Sequence, residues 1–268
     1  VPPQQLYAFL WSNDVKKRHS WYRYASPPAI VPVIVRVVPW FAIASAVLFV
    51  TGIGLGLFVA PTDFQQGDAY RILFIHVPAA WMGMFLYILM AAYAAVGWAF
   101  NTRLSSMMAT AVASTGAMFT ALSLVTGSLW GRPTWGTWWV WDARTTSTLI
   151  LLFLYTGFMA LQSAIDDPQR SDRASALLAI VGVVNVPIIY FSVQWWNTLH
   201  QGATIRFVSR STLAPSMLLP MLILLAACWT YSVAIVLARL RCVITEREHG
   251  SGWIQPRVSR ITQKGQPA

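Results

Sequence analysis

The chain has 268 residues, 56% of them hydrophobic and only 10% charged, with a mean hydropathy of +0.54. A soluble domain carries about 25% charged residues, so a water-soluble globule is excluded and an integral membrane protein is indicated. The net charge of +10 does not point to nucleic acid, because the 19 Lys and Arg sit mainly at the chain ends and in short connections rather than on one patch.

Residues 1–36 read as an N-terminal tail. Its opening, Val-Pro-Pro-Gln-Gln, lacks the basic stretch and short apolar core of a cleavable signal. A membrane-crossing helix needs about 20 apolar residues, and six stretches qualify: 37–59, 77–100, 105–129, 147–165, 174–195 and 212–240. They predict an all-α membrane protein, a bundle of six transmembrane helices over 37–240, with a tail at 241–268 that turns polar and basic from Gly250. Gly52, Gly54 and Gly56 in the first span, and Ala109, Ala113 and Ala117 in the third, predict close helix contact. Cys228 lies inside the last apolar segment and Cys242 just beyond it, forming neither a disulfide framework nor a CxxC pair.

Lys and Arg are retained on the cytoplasmic side of a membrane. With the N-terminus inside, fourteen of the 19 basic residues fall in inside segments; Arg71, Arg132, Arg144, Arg206 and Arg210 fall outside. Both termini are therefore expected in the cytoplasm, and the connection at 130–146 outside. That connection carries five tryptophans in twelve residues, Trp130, Trp135, Trp138, Trp139 and Trp141, followed by Asp142. A boundary belt needs only one or two such rings per helix end. Five rings, with two glycines and a proline to shape the backbone, predict a flat aromatic surface for a flat, apolar ligand that carries some charge.

Two of the four histidines, His19 and His249, lie among charges in the tails. His76, at the mouth of the second span, and His200, just past the end of the fifth, share the face of the tryptophan loop. Neutral imidazole suits iron, zinc and copper, and two imidazoles from different segments make a bis-histidine haem site. Zinc would want a third histidine or a Cys or carboxylate cluster. The external Asp63, Asp68 and Asp142 are not spaced with a histidine as a local motif. Haem also accounts for the indoles, which stack on a porphyrin, and for external arginines, which match its propionates; Arg144 and Arg206 are the candidates. Asp142 is expected to fix the loop by hydrogen bonding. No catalytic residue is assigned, since no nucleophile has a base beside it.

The block Trp135-Gly-Thr-Trp-Trp-Val-Trp-Asp-Ala-Arg144 resembles the WWD signature of haem-handling membrane proteins. His-Val-Pro-Ala-Ala at 76–80 and Trp-Trp-Asn-Thr-Leu-His-Gln-Gly at 195–202 resemble the two histidine segments of one branch, the haem exporter protein C (CcmC) family, which the span number and length also match. Thr145 departs from it, standing where leucine is expected. The resemblance implies a bacterial inner-membrane protein that holds haem b at the periplasmic face. His76 and His200 would be the axial ligands, and the WWD loop a platform for haem and for a membrane-anchored haem chaperone (CcmE). It further implies attachment of the chaperone's histidine to a haem vinyl group, within a complex containing an ATP-binding cassette assembly (CcmA and CcmB) and a small single-span subunit (CcmD). Such handover is lyase-like and works by positioning.

The spans hold few polar exceptions, Gln162, Asn185, Pro187 and Gln194, and show neither intramembrane charges nor paired broken helices. Haem is therefore expected to enter sideways from the lipid. Two other readings use the same residues. A membrane b-type cytochrome would pass electrons through histidine pairs, but needs ligands at more than one depth. A scaffold subunit would use its tryptophans only to grip a protein partner.

Overall fold

The computed structural model describes residues 26–196, 198–200 and 213–253. α1 (Pro27–Gly54) runs on through a π-helical turn (Leu55–Val59), and a 3-10 turn (Asp68–Ile72) leads into α2 (Leu73–Phe100). There follow α3 (Arg103–Trp135), α4 (Ala143–Ala164), α5 (Pro168–Gly182), α6 (Asn185–Trp195) and α7 (Pro215–Arg247), with α5 and α6 forming two halves of one span. Six helical stretches are long and apolar enough to cross a membrane, and no strand occurs among the described residues.

The helices overrun the apolar stretches because helical hydrogen bonding does not stop where hydropathy does. α1 starts ten residues ahead of the expected 37, with Pro27 and Pro28 in the first turn, where a missing N–H has no partner to lose. α3 continues past 129 to Trp135 although Gly131 and Pro133 suggest a loop. The Thr134 hydroxyl donates to the Trp130 carbonyl at 2.6 Å. Gly136, at φ 77°, then ends the helix with its N–H on the Arg132 carbonyl.

The fifth span breaks at Val183 and Val184. Pro187, in the third position of α6, has no N–H to give the Val183 carbonyl; that carbonyl is taken by the Val186 N–H at 3.0 Å instead, in a tighter turn. Asn185 makes the break specific. Its amide donates to the Ser147 carbonyl of α4 at 2.8 Å, tying the start of α6 to α4.

α2 and α3 form the most extensive pair, and α1 lies outermost against α7. Ala109, Ala113 and Ala117 are all buried. Gly83 of α2 sits where a Cβ would come within 3.3 Å of the Thr120 backbone of α3. Gly52 packs on Leu224 of α7 and Gly56 on Phe74 of α2, but Gly54 faces open space, so it does not share their packing role. At the centre, Tyr155 donates to the Gly83 carbonyl at 2.8 Å, with its ring edge-on to Tyr87 at 4.9 Å. At one end of the bundle Arg247 forks onto Asp172 at 2.8 and 2.9 Å and reaches Gln162 at 2.7 Å, joining α7 to α5 and α4. The histidine and tryptophan segments gather at the other end.

Candidate haem site

His76 lies in the first turn of α2, entered from the 3-10 turn. Its Nδ1 is 3.1 Å from the Thr126 hydroxyl of α3. That hydroxyl commits its own proton to the Leu122 carbonyl at 2.6 Å, so it accepts from the ring. His76 therefore carries its proton on Nδ1 and leaves Nε2 as a bare lone pair. Gly127 makes room for it: a Cβ there would lie 2.9 Å from the imidazole Cε1. Trp130 stands edge-on to the ring at 5.7 Å and is itself held by Gln66, whose side-chain oxygen accepts from the indole N–H at 2.8 Å.

His200 follows α6. Its backbone N–H is taken by the Thr198 hydroxyl at 3.1 Å, and its Nδ1 is 2.9 Å from Oδ2 of Asp142. Asp142 is the N-cap of α4, with Oδ1 accepting from the Thr145 amide at 2.8 Å. Burial alone would raise the Asp142 carboxyl. The Thr145 amide and the His200 ring outweigh it and hold the carboxyl below its ordinary value. Burial pulls His200 below the ordinary imidazole value against the opposing pull of Asp142, and nearby Arg144 adds to the lowering. An ionised Asp142 and a neutral His200 follow, with the Nδ1 proton donated to the carboxylate and Nε2 free. Trp135 is edge-on to this ring at 4.7 Å.

Both histidines line one cavity of about 50 Å³, together with Trp135, Trp138, Trp139 and Arg144. Two donors in its wall lack acceptors among the described residues. The Nε1–H of Trp139 is buried without a partner, and the Arg144 guanidinium, on the first turn of α4, makes no hydrogen bond or ion pair there. Buried donors are ordinarily satisfied, so a wall with a free guanidinium, a free indole N–H and two bare imidazole nitrogens is suited to an acidic ligand that also carries a metal.

The five tryptophans do not form a slab. Trp130 and Trp135 belong to the last turns of α3, and the irregular segment is confined to 136–142. Trp139 and Trp141 meet edge-to-face at 5.4 Å. Trp130 supports His76 from outside the cavity wall, and Trp141 stands 74% exposed. Ser128 ties the loop down by donating to the Trp138 carbonyl at 2.7 Å. Arg206 lies outside the described residues, as does Arg210. Thr126 and Gln66 were not legible as site residues. Thr126 precedes Trp130 by one helical turn, a signal hidden by the expectation that the third helix ends at 129.

Residues 20–255 match the family Heme exporter protein C. The chain belongs to the Heme exporter protein C family. It is 42% identical over 243 residues to Heme exporter protein C of Escherichia coli (strain K12), covering 91% of this chain and 98% of that protein. With the protein of that name from Bradyrhizobium diazoefficiens it is 46% identical over 223 residues, or 83% and 84% of the two chains. A cytochrome c biosynthesis ccmC-like mitochondrial protein of Marchantia polymorpha is 43% identical over 188 residues, 70% of this chain and 77% of that one. The expected family is thus the one found.

Proposed function

We propose that this chain handles haem for cytochrome c maturation, holding it where His76, His200 and the WWD loop meet and presenting it for covalent transfer to a partner. The observation that carries this reading is the cavity wall: two imidazoles with bare Nε2 atoms beside a guanidinium and an indole N–H that lack acceptors among the described residues. Haem iron takes two axial nitrogens, and Arg144 and Trp139 would receive propionate oxygens. The names of the relatives point the same way. A tetrapyrrole is larger than the cavity of about 50 Å³, so binding requires the cavity to widen.

Haem here is cargo. The protein's share is positioning: it fixes the iron, turns the charged edge inward and leaves a vinyl edge accessible. The cargo is haem b, taken up from the lipid. Its recipient is the periplasmic haem chaperone (CcmE), and Trp141 and Trp138, 74% and 55% exposed, are the rings available for that partner. An ATP-binding cassette assembly (CcmA and CcmB) and a small single-span subunit (CcmD) complete the complex. The site faces the periplasm from a bacterial inner membrane, with both termini cytoplasmic.

The test is the visible spectrum of protein purified from haem-replete cells. Wild type is expected to give the sharp bands of six-coordinate low-spin haem. H76A and H200A are each expected to lose them, and a variant lacking both histidines that kept the wild-type spectrum would remove the reading.

A further inference from the structure

The two histidines differ in what stands behind them. Building on the haem reading above, we infer that Asp142 is a positioning residue that sets the tautomer of His200 and makes it the stronger ligand, leaving His76 as the ligand that yields when the cargo departs.

Both oxygens of Asp142 are in use. Oδ1 caps α4 through the Thr145 amide at 2.8 Å, and Oδ2 faces Nδ1 of His200 at 2.9 Å. The side chain is only 6% exposed and that of His200 19%, so water does not replace either bond. The Thr145 hydroxyl and the Arg144 guanidinium are the other polar groups acting on this pair. A carboxylate that accepts the Nδ1 proton draws the ring toward imidazolate, which raises the donor strength of Nε2 and fixes the ring plane. His76 has no such partner. Its Nδ1 meets the neutral hydroxyl of Thr126 at 3.1 Å, with the Ser123 carbonyl close by. A neutral acceptor orients a ring but adds little basicity.

The capping role makes a clean test available. Asparagine caps a helix about as well as aspartate, so D142N keeps α4 intact. It has only one side-chain oxygen, however. With that oxygen held by the Thr145 amide, the amide NH2 faces His200 and donates to Nδ1. The proton then moves to Nε2, which can no longer bind iron.

The experiment uses the full chain, purified with its haem. D142N is expected to retain haem 10–100-fold more weakly. Its remaining haem is expected to lose the low-spin bands, to regain them when imidazole is added, and to leave helix content unchanged. T126V, which removes a neutral acceptor rather than a carboxylate, is expected to weaken haem retention less than D142N does. In the reduced protein, carbon monoxide is expected to displace His76, so the carbonyl complexes of wild type and H76A coincide in their C–O stretch while that of H200A is shifted. A wild-type spectrum and haem content in D142N, alongside a defective H200A, overturns the role of Asp142. Coincidence of the wild-type and H200A carbonyl complexes overturns the ranking of the ligands. A wild-type spectrum in H200A itself overturns the ligand assignment on which both rest.

Discussion

The proton inventory of a few atoms decides what this site can bind. Thr126 cannot donate to His76 because its hydrogen is spent on Leu122. Asp142 cannot donate to His200 because it is ionised. Each histidine is thereby forced into the tautomer with Nε2 open, and both line one cavity. The pH dependence follows with its sign. His200 sits below the ordinary value of 6.5, so its share of folding stability is fully present above 6.5 and is lost as pH falls through the folded value. Asp142 sits below its ordinary 3.8; its share is present above 3.8 and is lost only under more acid conditions. Above 6.5 the ionised carboxylate and the neutral ring coexist. Haem affinity, measured by titrating the purified protein at fixed pH values, is therefore expected to be flat from about pH 8 down to about 6.5 and to fall only below that. A decline centred above 6.5 would show that His200 is not held neutral.

At the scale of elements, the site is assembled by two interruptions. α3 stops at Gly136, and the fifth span breaks ahead of Pro187. The break sets the path of α6 and so the approach of His200, with Asn185 pinned to Ser147. P187A restores an N–H that can bond the Val183 carbonyl and straightens the span. Its melting temperature in detergent is expected to be unchanged or raised, while haem content per protein falls about tenfold, the lower end of what displacing a supporting group costs a metal site. Full haem content in P187A would mean that the break does not position His200. Much of this architecture was legible from sequence, since 20-residue apolar runs have few alternatives in lipid. That the segments of His76, His200 and the tryptophans meet at one end was legible because all of them stand at the mouths of apolar spans. The extension of α3 through Gly131 and Pro133 was not, because it depends on the Thr134 hydroxyl closing onto Trp130. Nor was the edge-on setting of the indoles, which depends on partners remote in sequence such as Gln66 and His200. The role of Gly54 was misjudged for a similar reason: small residues mark a possible contact, and only the facing helix decides whether it is made.

Across the whole molecule, the bundle is polarised. The Arg247, Asp172 and Gln162 cluster closes one end, and the cavity opens at the other. Fourteen of 19 basic residues fall in the segments expected inside, and that bias is the ground on which the cavity is proposed to face away from the cytoplasm. The spans between the ends are packed with buried Met, Phe and Tyr around Tyr87 and Tyr155, the base on which the 136–142 segment stands. The most direct measurement is a structure of the haem-loaded chain in a lipid environment. Iron is expected between Nε2 of His76 and Nε2 of His200, with the Asp142 bond to Nδ1 of His200 retained and the propionates turned toward Arg144. Haem bound elsewhere, or iron held without either imidazole, would contradict the account.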